Sequence, residues 1–425
     1  MQISSNFRGN ASLAKASAAS ADITPRNSPE LGAGNNTGQS LAVDDPLELN
    51  LVAIWFGNSD PLVLASYDLL YVGEPLVEAL VSSLPGIPRE NIFIGASHTH
   101  AAPMTDPSKP RLGKVDPDYL EFAVDQTKNA VAALLEEEGA PVVLRAAAGS
   151  ANHSVNRRRF KRFRFSPHRN VPKLNVLELA PNPSGPRDET VTVLEITALS
   201  GEPLAVIWNY ACHPVAYPRP DAVSAHFPGV VRRLLRERSS AGLPVLYFQG
   251  FSGNTRPNAT ARKRGLRQHL KRLLQGPVFQ DFSWESYNDW TRSLASAVLG
   301  VASEVGPLEV HEVAARRVVR PSGLFVQGQT PQVAFQRFSL GPGLTFIGVS
   351  AEMVADYALL LRARQGDGLL FCVGCLDTPF GYAPTQRMLE EGGYESEQFL
   401  PHFSLSEISP RIEDNIKEGL SGVLP

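Results

Sequence analysis

Short runs of β-branched and apolar residues recur along the 425-residue chain, and helical patterns fall between several of them. This alternation constrains the fold most, because runs of roughly four to eight such residues have the length of strands. "LNLVAIWFG", "PLVLASYD" and "NIFIGAS" read as strands, and "GEPLVEALVSSL" between the last two has helical apolar spacing. Asp116 then stands before Pro117 and the helical pattern "DYLEFAVDQTKNAVAALLEEE". A side-chain acceptor followed by proline at the first helical position is a strong helix start. "APVVLRAAAG", "KLNVLELA", "TVTVLEITAL", "PLAVIWNYA" and "LPVLYFQG" are further strands, with a helix over 285–304. The last third predicts strands near 307–319 and 335–349, a helix near 352–364 and a strand at 368–374. Together these elements predict an α/β fold of mixed, layered sheets flanked by helices. The turn-rich stretch 27–40 reads as a flexible surface loop, and no repeat or domain linker interrupts the pattern.

Composition narrows the function classes. The chain is 43% hydrophobic and 20% charged with a net charge of −3, which argues against a dedicated nucleic-acid binder. No apolar run reaches the roughly 18 residues that span a bilayer, so no transmembrane segment is expected. The N-terminus lacks the apolar core of a secretory signal, which leads to the expectation of a soluble, cytoplasmic protein. Three cysteines, Cys212, Cys372 and Cys375, are too few for a disulfide framework. "CVGC" has the spacing of a redox or zinc motif, but it continues the apolar run "GLLFCVGC" and has no second pair, so a buried strand is the better reading.

One stretch is locally basic. "NRRRFKRFRFSPHR" (156–169) carries seven cations from Arg157 to Arg169, interleaved with Phe160, Phe163 and Phe165. Such a cluster can hold phosphates and stack bases, cap an anionic small substrate, lie solvated in a loop, or serve a homo-oligomer contact. A second basic run, 262–274, has the pattern of the polar face of an amphipathic helix.

The chemistry concentrates at strand ends. "IFIGASHTHAAP" ends a strand in His98 and His100, and side chains two apart on a strand face the same way. Two imidazoles can therefore face one cavity, as metal ligation requires. "PLAVIWNYACHPVAYP" ends another strand in His213, followed by Pro214. "LTFIGVSAEMVADYALLLR" places Glu352 where a strand passes into a helix, and a later turn-rich segment carries Tyr382. Each has a bland alternative, with Glu352 as a helix cap and Tyr382 as a packed loop aromatic.

Six short segments, taken in order, carry a resemblance: "SADITP", "SHTHAAP", "NYACHPV", "FQGFSGNTRPN", "GVSAEM" and "GYAPTQRMLEEGGYE". They resemble signature segments of the neutral/alkaline (non-lysosomal) ceramidase family, in its N-terminal catalytic domain. The resemblance implies a flexible N-terminus over 1–16 and a single catalytic domain over 17–425. It further implies a Zn2+ cofactor held by His98, His213, Glu352 and Tyr382, with His100 as an acid/base group beside it. Arg157, following Asn156, and Tyr382 are implied in catalysis, and Asp68 and Asn254 in binding substrate. The family's serine in G-D-V-S-P-N is matched by Arg256 of "GNTRPN", and an aspartate-containing segment is matched by "SAHFPG" with His226. A guanidinium at Arg256 implies a small-molecule substrate more polar or anionic than ceramide. The expectation is therefore a zinc-dependent hydrolase cleaving an amide bond. An ester or lactone hydrolase, or an inactive binding protein using the same pocket, remain the alternatives. Turnover on a mixed substrate panel separates the three, and steep salt dependence would mark nucleic-acid binding.

Overall fold

The computed structural model describes residues 3–8, 14–33, 39–136, 139–166, 169–259, 276–310, 312–366 and 368–425. The basic run 262–274 lies outside them, as does part of the expected loop 27–40.

In chain order the strands begin with β1 (Ile3–Arg8), β2 (Ala14–Asp22), β3 (Glu48–Trp55), β4 (Leu62–Tyr67) and β5 (Ile92–Ala96), with helix α1 (Glu74–Ser82) between β4 and β5. Helix α2 (Pro117–Glu136) precedes β6 (Ala140–Ser150), the hairpin of β7 (Ser154–Ser166) and β8 (Arg169–Asn182), then β9 (Thr190–Ala198) and β10 (Pro203–Tyr210). Helix α3 (His226–Glu237) leads to β11 (Val245–Gln249), the short β12 (Thr255–Pro257) and helix α4 (Trp284–Ser303). The last third holds β13 (Glu312–Arg320), β14 (Val333–Leu340), β15 (Leu344–Val349), β16 (Glu352–Met353) and helix α5 (Ala355–Gln365). It closes with β17 (Leu369–Val373), β18 (Tyr382–Ala383), α6 (Gln386–Glu391) and α7 (Ile412–Val423). Helix α2 starts where its cap predicts. Asp116 Oδ1 accepts from the main-chain N–H of Asp118 at 3.0 Å and of Tyr119 at 3.1 Å.

Two mixed sheets dominate. Among the described residues, one runs β11-β10-β9-β6-β2-β3-β4-β5 and the other β1-β13-β14-β15-β17. They pack face to face. Val52, Leu64, Phe93, Ile207 and Phe248 from the first sheet share one apolar core with Phe338, Phe346, Phe371 and Val373 from the second. Burying each such side chain contributes about 1.5–3 kcal/mol, and both faces of the central strands must be apolar to allow it. Helices α1 and α2 cover the outer side of β2 to β5, α3 and α4 cover β9 to β11, and α5 and α7 cover the second sheet. The expected layered α/β architecture is what the chain adopts. At the start of the described chain, β1 runs antiparallel along β13 with Ile3 opposite Arg317.

Parallel pairing sets the geography of the site. β4 pairs with β5, β10 with β11, and β15 with β17, each in parallel and each joined through a helix. In such units the chain leaves the carboxyl end of a strand into a loop, and those ends form the crevice where ligands bind. The first sheet also curls until its two end strands approach. Ser66 Oγ donates to the Tyr247 carbonyl at 2.6 Å, and a Cβ on Gly95 would sit 2.7 Å from the Phe248 ring. Gly95 thus permits the contact that brings the loop after β5 beside the loop after β10.

Candidate metal centre

Three histidines meet at these strand ends. His98 and His100 follow β5, and His213 follows β10. His98 Nε2 lies 3.1 Å from His213 Nε2, and His100 Nε2 also lies 3.1 Å from His213 Nε2. Two nitrogens each about 2.0–2.1 Å from a tetrahedral zinc stand roughly 3.3 Å apart, so the spacing suits one shared cation. Glu352 joins them from β16, with Oε2 3.3 Å from His98 Nε2 and 3.9 Å from His213 Nε2.

The backbone holds these groups under constraint. His98 has φ 65°, a left-handed conformation that costs a non-glycine residue energy and is kept where the surroundings over-determine it. Its Nδ1 lies 3.0 Å from the Leu70 carbonyl, which only accepts; Nδ1 therefore carries a proton, and Nε2 is the ring atom turned to the cluster. Glu352 is aligned by β16, whose parallel bridge to β18 sets Glu352 beside Tyr382. The Gly253 N–H donates to the Met353 carbonyl at 2.8 Å, and a Cβ on Gly253 would meet the Glu352 carbonyl at 2.7 Å. The turn after β11 therefore presses on the strand that carries the glutamate.

Electrostatics decide what the cluster wants. Burial together with the charges of His98, Arg157 and His100 holds His213 well below the usual histidine range. Burial and the charges of His98, His226, Arg157 and Arg256 do the same for His100. Both rings are neutral, the form that ligates metal. Burial opposes a charge on His98 and on Glu352 as well, but their pairing outweighs it. Cys375 and Glu352 raise His98, while His98 together with Tyr382 and Tyr71 lowers Glu352. Glu352 Oε2 is buried and makes no well-aligned hydrogen bond, with His98 Nε2 3.3 Å away. Lone pairs of His100 and His213 thus converge with the Glu352 carboxylate, and a cation taking the place of the His98 Nε2 proton would satisfy all four groups together. The residues fit a metal ion. His98, His100 and His213 already form a group able to hold one, with Glu352 beside them.

Tyr382 is buried, its hydroxyl lies against Glu352 and Arg157, and burial keeps it a phenol. Arg157, on β7, donates from Nε to Glu395 Oε1 at 2.7 Å and has its Nη2 buried without an acceptor. Its guanidinium stands 5.6 Å from the Tyr382 ring centre. Arg256, on β12, is half-buried with its guanidinium 4.2 Å from the Phe279 ring centre.

Two expected substrate-binding residues are otherwise engaged. Asp68 Oδ2 accepts from the Glu48 N–H at 3.0 Å and pairs with Arg232 at 2.5 Å, a buried network that includes none of the histidines. Asn254 uses both ends of its amide on α5. Oδ1 accepts from the Ala355 N–H at 2.9 Å, and Nδ2 donates to Asp356 at 3.1 Å. Its side chain caps a helix, with one donor and one acceptor position of the amide committed to α5. Of the roles open to the stretch from Arg157, the solvated loop does not hold for its start. It forms a strand rather than a solvated loop, and Arg157 and Arg158 are buried against Glu395, with Arg158 Nη1 2.6 Å from Oε2. The remaining cluster side chains from 161 on lie outside what is described.

Three contributors escaped the sequence. Tyr71 donates its hydroxyl to Glu352 Oε1 at 2.5 Å and packs its ring 5.3 Å from that of His98, yet "DLLYVG" holds no motif. Cys375, set aside as a strand residue, lies against His98. Glu395 closes the quoted "GGYE", and that position was its only signal.

His226 sits nearby with φ 59°, wholly buried, and burial depresses it to about 3. Between about pH 6.5 and 3 the unfolded chain holds a proton here that the folded chain refuses. The contribution to stability is therefore complete above the ordinary histidine value and lost as pH falls below it. His226→Asn, whose side chain tolerates this backbone, should flatten the acid loss of stability by up to about 1.4 kcal/mol per pH unit. Denaturant unfolding at stepped pH reads this, and an unchanged slope in the variant would sink it.

Sheets, covering helices and strand-end histidines define a layered α/β protein with a candidate metal centre. Its fold is that of neutral ceramidase. The crystal structure of neutral ceramidase from Pseudomonas aeruginosa matches with a TM-score of 0.71 at 15% identity, over 96% of this chain and 73% of that one. A second structure, a ceramidase complexed with C2, matches with a TM-score of 0.71 at 14% identity, over 96% and 74%. No protein-family model and no curated protein sequence matches the chain. No helix among the described residues is long and apolar enough to cross a membrane.

Proposed function

We propose that the protein is a zinc-dependent hydrolase that cleaves an amide bond in a substrate smaller or more polar than ceramide. The observation that carries this reading is the buried convergence of three imidazole Nε2 atoms with Glu352 Oε2 at strand ends of a ceramidase fold. His98, His213, Glu352 and Tyr382 would hold the ion. Bound there, zinc supplies Lewis acidity, polarising a carbonyl and making a water molecule reactive near neutral pH. The chain's own groups do the rest. His100, kept neutral by burial and neighbouring charge, can take a proton through Nε2 and return it to the leaving amine. The Tyr382 hydroxyl and the unpartnered Arg157 Nη2 are donors for the oxygen that gains charge. The phenol of Tyr71 fixes one oxygen of Glu352 and leaves the other for the ion.

The test is a panel of N-acyl amides, esters and lactones assayed on zinc-loaded and chelator-stripped protein. Amide cleavage that disappears on stripping and returns with zinc is expected. Turnover confined to esters or lactones would reassign the reaction, and binding without turnover would mark a binding protein.

A further inference from the structure

Arg256 is the cation in this region that lacks a counter-charge. β12 pairs antiparallel with β7, Arg256 opposite Val155, and Thr255 Oγ1 donates to the Ala211 carbonyl at 3.1 Å. These bonds pin Arg256 beside the strand end that carries His213. On β7, two residues along from Val155, the Arg157 N–H donates to the Asn254 carbonyl at 2.9 Å, so the two arginines flank the same turn. Arg157 and Arg158 share Glu395, and Arg158 also reaches Glu391 at 3.1 Å. Arg256 has no ion pair among the described residues, and its Nε is buried without an acceptor. Asp281 attracts it only from beyond contact, while burial and the charge of Arg157 push its pKa down to about 10. Phe279 stacks on its face and fixes the plane of the fork. Arg157 and Arg158 are thus paired with Glu395 and Glu391, while Arg256 has no carboxylate in contact among the described residues.

A half-buried guanidinium whose Nε is buried without an acceptor is unfavourable unless something pairs with it in the working protein. We infer that Arg256 anchors a carboxylate of the substrate, so that the hydrolase proposed above acts on acyl compounds bearing a free carboxylate, such as N-acyl amino acids. The planar fork matches the two oxygens of a carboxylate. This rests on the hydrolase reading for the scissile bond but not for the anchor itself, which is a binding property.

Calorimetric titration of the full-length protein, zinc-loaded and zinc-free, separates the two. The probes are a set of N-acetyl amino acids, their carboxamides and inorganic phosphate, with Arg256→Gln and Arg256→Lys compared with wild type. Carboxylates should bind on the order of 10- to 100-fold tighter than matching carboxamides, the scale of a charge-assisted hydrogen bond. Arg256→Gln should erase that difference, and Arg256→Lys should restore part of it. The melting temperature of Arg256→Gln should hold or rise, since a structural cation would lower it on removal. Equal affinity for both sets, absence of binding included, overturns the anchor. So does a preference that survives in Arg256→Gln, or phosphate binding tighter than every carboxylate. A carboxylate preference without zinc-dependent turnover would leave the anchor standing and remove the hydrolase; turnover without the preference would do the reverse.

Discussion

His213→Ala is expected to lower bound metal from about one ion per chain to none, and to abolish hydrolysis, while the protein stays folded. His213 is central to the cluster, with both other Nε2 atoms 3.1 Å from its own. His98→Ala should behave alike, since it also removes the partner of Glu352. His100→Ala is the informative contrast. As an acid/base group, its loss should leave zinc in place and slow the reaction on the order of 10²- to 10⁴-fold. If that variant sheds zinc instead, His100 is a ligand. Elemental analysis after dialysis against zinc, with circular dichroism to check folding, reads all three. A His213→Ala protein that keeps its full complement of metal would remove the site from consideration. Because His98 attracts protons as well as metal, zinc affinity should weaken as the solution is acidified.

The second large effect is on stability. Glu395 is fully buried and pairs with Arg157 at 2.7 Å and Arg158 at 2.6 Å. Glu395→Ala leaves two guanidiniums buried without their shared carboxylate, and breaking a buried pair in this way costs about 3–5 kcal/mol. Denaturant unfolding should show that loss, and adding Arg158→Met to the variant should recover part of it. A midpoint unchanged by Glu395→Ala would show that water or another acceptor takes its place. Catalysis should suffer as well, because Arg157 reaches Tyr382 from the position this carboxylate fixes.

Local grammar made much of this legible. β3, β4 and β5 are apolar runs of strand length, and α2 begins at the Asp116–Pro117 signal because capping acts over neighbouring residues. His98, His213 and Glu352 were readable because each stands where a strand stops. What stayed hidden depends on distant partners. Arg157 and Arg158 look like a solvated charge run until Glu395, 238 residues away from Arg157, is folded against them. Asp68 resembles a site acid because it too ends a strand, yet Arg232, 164 residues on, claims it. Asn254 sits in a turn motif that suggests ligand contact, and only the packing of α5 shows its amide to be a cap. Tyr71 had no pattern to find. Its role follows from Leu70 beside it bonding His98 and from the hydroxyl meeting Glu352 across the site.

The two sheets contribute differently to the centre. His98 and His213 leave the first sheet, whereas Glu352 and Tyr382 follow strands of the second. An ion shared by these side chains would be a cross-link between the halves of the sandwich, absent from the unfolded chain. Its binding energy would then enter the folding equilibrium by mass action, adding about 2.7 kcal/mol when free metal stands at a hundred times its dissociation constant. A cell short of metal would hold not only less active protein but less of it, as the unclasped form opens and is degraded. Abundance itself would report the metal supply.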